Sequence, residues 1–276
     1  MTQIALAVCL LVALSVPAHA APAVTFDGGV GGGYDDNLNT AQSSDQREGS
    51  GLAAAWLTVG VSQKVLDDTR LSLSGGYAGT DYTSVGDLSV NAFHVKAALM
   101  YSMGESLLIT LAPRAGLRYY GDSDRNAAAY GVALSARGEL LPRVAAVASY
   151  GYTHNAADAE EFSYEANRFG VGGEVRVGQK GYLTVGYALE FSQSPFYQLA
   201  TMPIPSTGRG RRPSSTFGTN QVVFKADTTS HIASVDWDQM LYKGIYLQIG
   251  YAYTAVHSDL GDYRAHRVSG GVGYRF

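Results

Sequence analysis

From Ser106 onward the chain sorts its residues by parity. Leu107, Ile109, Leu111, Pro113, Ala115, Leu117 and Tyr119 share one parity, while Thr110, Ala112, Arg114, Gly116, Arg118 and Tyr120 share the other. Successive side chains of a strand point to opposite faces, so the pattern predicts one strand about 14 residues long, well beyond the roughly 5 to 6 usual in soluble sheets. The signature recurs over 181–192, with Leu183, Val185, Tyr187, Leu189 and Phe191 against Thr184, Gly186, Ala188, Glu190 and Ser192. It returns over 244–257, with Ile245, Leu247, Ile249, Tyr251 and Tyr253 against Gln248, Gly250, Ala252 and Thr254. The polar parity is mostly Gly, Ala, Ser and Thr with an occasional Arg or Glu, as suits a crowded aqueous lumen. The apolar parity ends in aromatics. Together they predict the strands of a membrane barrel.

Turns give a second test. Tight turns fall at Leu66-Asp67-Asp68-Thr69, Met103-Gly104-Glu105-Ser106, Leu140-Leu141-Pro142-Arg143, Gly178-Gln179-Lys180-Gly181 and Leu241-Tyr242-Lys243-Gly244, with starts 37, 37, 38 and 63 residues apart. The long interval contains a Pro/Gly/Ser-rich insert over 195–218, and removing those 24 residues leaves 39, so a hairpin repeat runs through the chain. Polar segments near 35–48, 82–87, 121–125, 155–161, 195–218 and 259–262 lie between the turns. Short connections at one end and longer ones at the other are the asymmetry of outer-membrane barrels. The expected strands are 23–34, 49–64, 69–81, 88–102, 106–120, 125–139, 143–154, 162–177, 181–194, 219–240, 244–258 and 262–276. Twelve is even, and with both termini periplasmic all five tight turns fall on that side. Ten or fourteen strands would require merging or splitting a hairpin.

Composition narrows the class. The chain has 276 residues, 33 Gly, 19 Tyr and only 16% charged residues, which argues against disorder and collagen. Beyond the first 20 residues no apolar run reaches the 18 or more of a membrane-spanning helix. The net charge of -4 gives no electrostatic reason for a nucleic-acid partner. Residues 4–16 are an apolar run of signal-peptide length, and Ala18-His19-Ala20 forms a cleavage site before Ala21, although the leader has no Lys or Arg. The expected organisation is therefore a signal peptide over 1–20 and one barrel over 21–276, exported to the bacterial outer membrane. The single cysteine, Cys9, lies in the leader, so the mature chain has no disulfide, thiolate metal site or cysteine nucleophile. No cofactor and no metal site are expected. The Asp35, Asp36, Asp45 and Glu48 of the first loop match no EF-hand spacing and read as solvated charge.

The final strand, His266 to Phe276, ends in an aromatic with Tyr274, Val272 and Val268 on the same face. It resembles the C-terminal signal that the bacterial β-barrel assembly machinery recognises, with Gly270 departing from the pattern. The resemblance implies a porin-like bacterial outer-membrane barrel, with Val268, Val272, Tyr274 and Phe276 as its assembly signal and that machinery as a partner during biogenesis. The opening Gly33-Tyr34-Asp35-Asp36-Asn37 is similar to the first strand and loop of several large barrel families, including the barrel of surface lipoprotein assembly modulators, over barely five residues.

Parity assigns His94, Lys96, Arg114, Arg118, Arg137, Arg168, Glu174, Arg176, Glu190 and Arg267 to the lumen. His94, Arg114, Arg168, Glu190 and Arg267 count to similar heights above the tight turns, which makes a basic constriction selecting anions one reading. Mutual neutralisation, as between Arg168 and Glu190 on neighbouring strands, is the other. Arg209, Arg211 and Arg212 of the insert could fold inward, bind lipopolysaccharide phosphates outside, or sit in a plain loop. Tyr101, Tyr119, Tyr187 and Trp237 read as interfacial girdles. A lipid hydrolase ranks third: His154 precedes Asn155 and His257 precedes Ser258, and adjacent residues of a strand point to opposite faces. The expected function is passive diffusion of small polar or anionic solutes. The rival is a plugged structural or assembly barrel that scaffolds surface or periplasmic proteins. In either case outer-membrane lipid and lipopolysaccharide surround the wall.

Overall fold

The structure, a computed structural model, describes residues 21–42, 44–199, 209–214, 216–217 and 221–276. The expected leader lies outside the described residues, as does part of the insert. Thirteen strands follow in chain order: β1 Ala23–Asp35, β2 Ser50–Leu66, β3 Thr69–Tyr82, β4 Val90–Met103, β5 Leu107–Tyr120, β6 Ala127–Leu141, β7 Val144–Ala157, β8 Tyr164–Val177, β9 Gly181–Leu199, β10 Arg209–Ser214, β11 Gln221–Tyr242, β12 Ile245–Ser258 and β13 Tyr263–Arg275. All except β10 form a closed 12-stranded antiparallel barrel in which β9 pairs directly with β11 and β13 returns to β1. Closure removes every free edge from the wall, which is what a strand needs where no water can satisfy its backbone. Phe26 and Phe276 seal the seam, exchanging backbone hydrogen bonds of 3.0 and 3.1 Å and stacking their rings 5.5 Å apart.

The alternation has its cause in the two environments. Val30, Leu57, Val59, Phe93, Leu99, Leu117, Leu134, Val171, Val185 and Ile249 all point outward and lie bare. A continuous apolar belt of this kind would drive association in water and is stable only against hydrocarbon. Tyr101, Tyr119, Tyr187 and Trp237 share that outward face. The short connections carry the backbone that tight hairpins require: Lys243 and Gly244 have φ of 38° and 91°, a turn with both central residues left-handed.

The insert departs from the loop expected over 195–218. β9 continues to Leu199 and β11 starts at Gln221, so the two strands pair well beyond the last rung that β11 shares with β12, Thr228 opposite Ser258. This leaves an open edge on β11, and β10 fills it, from Arg209 opposite Lys225 to Ser214 opposite Gln221. Backbone pairing at a free edge outweighs the local Gly/Pro/Ser composition, and Pro213 is tolerable because β10 is itself an edge strand. The Arg209, Arg211 and Arg212 side chains lie outside the described residues.

The buried apolar clusters belong to this extension. Phe196, Phe224 and Ala226 pack with Leu260 and Tyr263 on one face, and Val223 packs with Ala159, Phe162, Ala157 and Tyr197 on the other. Arg125, on the β5–β6 connection, donates to the Tyr197 hydroxyl and lies 4.2 Å over the Phe162 ring. β6 stands three strands around the wall from β9, so that contact runs across the opening and not along it. The hairpin therefore leans inward and is wedged among the loops of the outer mouth.

Candidate lumenal site

Beneath the hairpin lies a lumenal cavity of about 330 Å³. Small residues create it: Gly151 on β7, Ala166 on β8 and Ser192 and Ser194 on β9 line a stretch where larger side chains would fill the space. Into it project Arg114, Arg118, Arg168 and Glu190. Arg114 donates to the Thr153 hydroxyl at 2.9 Å, and Arg118 donates to Asn155 Oδ1 at 3.1 Å and to the Tyr164 hydroxyl at 3.0 Å. These partners are neutral, so they fix the guanidinium groups without cancelling their charge. Arg168 faces Glu190 at 3.8 Å. Three cations against one carboxylate leave a positive patch, and a low-dielectric wall strengthens its field.

The other lumenal residues lie elsewhere. Lys96 sits beside Arg114 in the β4–β5 register and His94 beside Gly116, with the His94 ring over Gly76. Neither lines the cavity. Arg267 is opposite Asp35 on β1, on the far side of the barrel in strand order, so it is not part of the same basic patch. Similar height counted from the turns does not make residues neighbours when a tilted wall separates them. Closer to the periplasmic end, Glu174 accepts from Arg137 at 2.6 Å and Arg176 donates to the Tyr182 hydroxyl at 3.0 Å.

A second lumenal network fills the seam. Asp27 accepts from Trp56 Nε1 at 2.9 Å, from the Tyr246 hydroxyl at 2.8 Å and from Arg275 Nε at 2.6 Å. Glycine makes room for the rings: a Cβ on Gly29 would run into Trp56, and one on Gly273 into Tyr246. Sequence reading missed Trp56, Thr153, Asn155 and Tyr164. For Trp56 the signal was present, because it has the lumenal parity of β2 and faces the Gly-rich β1.

At the mouth, burial draws the Arg125 guanidinium below its ordinary range, opposed by Asp122 at 3.5 Å. His154 and His257 are outward residues near the outer strand ends and face Glu165 at 3.2 Å and Asp262 at 3.0 Å. The Ser258 hydroxyl donates to Gly261 O at 2.9 Å and so serves the β12–β13 turn.

No family model and no curated protein matches this chain. Among solved structures it is similar to an outer membrane channel from Pseudomonas putida F1, at 12% identity and a TM-score of 0.58, over 93% of this chain and 97% of that one. It is also similar to an anion-selective porin from Comamonas acidovorans, at 9% identity and a TM-score of 0.44, over 93% and 99%. The β domain of the Bordetella autotransporter BrkA aligns at 16% identity and a TM-score of 0.46, over 91% and 99%. The first of these likenesses gives the chain the fold of an outer-membrane barrel.

Proposed function

We propose that the protein is an outer-membrane channel for small anionic solutes, with Arg114, Arg118 and Arg168 as the attracting patch. The observation that carries the reading is the 330 Å³ cavity in which two of these three guanidinium groups are held by neutral partners only. An anion entering it exchanges water for preorganised donors, and the surplus of positive charge disfavours cations. Export relies on the leader over 1–20, and insertion relies on the assembly machinery reading Val268, Val272, Tyr274 and Phe276, all of which point outward or lie bare at the seam. Single-channel conductance and reversal potential in a planar bilayer test the proposal: an anionic reversal potential is expected, and a cationic one refutes it.

The apolar packing of the β9–β11 extension favours a second reading, a barrel closed at rest that acts as a scaffold. Correctly folded protein with no conductance at any voltage would support it.

A further inference from the structure

A cavity of about 610 Å³ opens on the outside of the barrel, near the outer end of β8, β9, β11 and β12. Its orientation follows from register. Asn167, Phe191, Thr229 and His257 are successive cross-strand partners, and they have the same parity as the outward Phe169, Val185, Trp237 and Ile249. A row above them, Gln193 is opposite Asp227, and Gln193 Oε1 accepts from the Glu165 backbone at 3.4 Å. The wall recedes here because the hairpin leans inward above it. Immediately below runs the row Phe169, Leu189, His231 and Ala255, followed by the apolar belt. The groove thus begins where hydrocarbon-facing residues end, at the depth of the outer leaflet's headgroups.

Its chemistry is selective. Phe191 presents a ring 46% exposed, surrounded by two amides, hydroxyls, the His257 imidazole and the carboxylates of Glu165 and Asp259, with no Lys or Arg among the described residues that line it. Such a set repels a bare phosphate. It suits a sugar, whose hydroxyl groups donate to carboxylates and amide oxygens while its C–H face lies on an aromatic ring. The volume falls within the roughly 300–1,000 Å³ of small-molecule sites. We propose that this groove binds the saccharide headgroup of an outer-leaflet glycolipid. The inference shares the membrane placement of the proposed channel but is independent of whether the lumen conducts.

The test uses native mass spectrometry of the folded mature protein in detergent, offered lipid A, dephosphorylated lipid A and phosphatidylglycerol at equal concentration. Both glycolipids should bind in preference to phosphatidylglycerol, and Phe191→Ala with Gln193→Ala should lower their occupancy about tenfold. Equal binding of phosphatidylglycerol, loss of binding on dephosphorylation, or wild-type occupancy in the folded double variant would each overturn the proposal. Heat-modifiable gel migration confirms folding. Should the double variant fail it, Thr229→Val is the milder probe and must lower glycolipid occupancy in the same direction. Conductance recorded on the same preparations separates failure of this site from failure of the channel.

Discussion

Two stretches of the lumenal wall follow the same alternating pattern and treat charge in opposite ways. At the seam, Asp27 gathers three donors, including Arg275, and the rings of Trp56 and Tyr246 fill the space above Gly29 and Gly273. On the β5–β9 wall, Arg114 and Arg118 hold only neutral partners around a cavity. The difference lies in where the small residues stand. At the seam a glycine faces a large ring on a neighbouring strand, and the gap is filled. Around Gly151, Ala166 and Ser192 the one ring in the lining, Tyr164, is held by Arg118 and does not fill the gap, and the space stays open. Seam and patch thus differ within one lumen, the first joining the barrel's ends and the second leaving positive charge around an open cavity.

The largest effect should come from the mouth that stands over both. Replacing 196–224 by a short Gly-Ser turn joins β9 to β11 near the barrel rim and removes Phe196, Val223 and Phe224, the centre of the apolar packing. Conductance should rise several-fold with unchanged heat-modifiable migration. If it stays the same, the narrowest point lies lower, and the filled seam becomes the candidate.

The comparison sharpens next through selectivity. Arg114→Ser with Arg118→Ser should bring the reversal potential in a salt gradient close to zero, whereas Asp27→Asn with Arg275→Ser, which removes one charge of each sign, should leave it nearly unchanged. The wild-type potential should also weaken with salt, since the Debye length falls from about 10 Å at 0.1 M to about 3 Å at 1 M. An equal response to both variants would show that the solute path follows the seam as closely as the patch.

How far the sequence discloses this division depends on range. Alternation and turn spacing made the twelve barrel strands legible, because both are local signals written within a hairpin. Lumenal parity was legible for Arg114, Arg168 and Arg267 alike, but parity is silent about which strands face one another across a barrel. Arg267 therefore read as a neighbour of Arg114 although it stands opposite Asp35. The insert misled for a related reason. Pro213 and the surrounding Gly and Ser suggest a loop, whereas the edge that recruits β10 exists only because β11 outruns β12. Trp56 was legible by its lumenal parity alone, while the room for its ring rests on glycines about 27 residues earlier and at the other end of the chain.

Stability should separate the two regions as well. Trp56→Ala empties the seam and removes one of the three donors to Asp27, and it should lower stability by about 2 kcal/mol, less than the roughly 3–5 of a fully enclosed aromatic because this ring is only half-buried. Arg114→Ser, which removes no packed ring, should change it far less. Urea unfolding in lipid vesicles, followed by gel mobility, measures both. Equal losses would mean that the patch, too, is part of what holds the barrel together.

The smallest structural change concerns the latch of the mouth. Arg125 spans from the β5–β6 connection to the β9 extension, lying over Phe162 and bonded to Tyr197, and it is almost fully enclosed. A desolvated cation–π contact contributes on the order of 1–2 kcal/mol, which corresponds to about a tenfold shift in a two-state opening equilibrium. Arg125→Ala should therefore increase the fraction of time the channel spends open by about that factor, while leaving the reversal potential in place, because the lumenal guanidinium groups are untouched. Arg125→Lys, which keeps the charge but not the planar group, should fall between the two. Single-channel recordings distinguish the outcomes. A changed reversal potential in Arg125→Ala would mean that ions are selected at the mouth and not in the cavity below, and would reverse the roles assigned to the two levels.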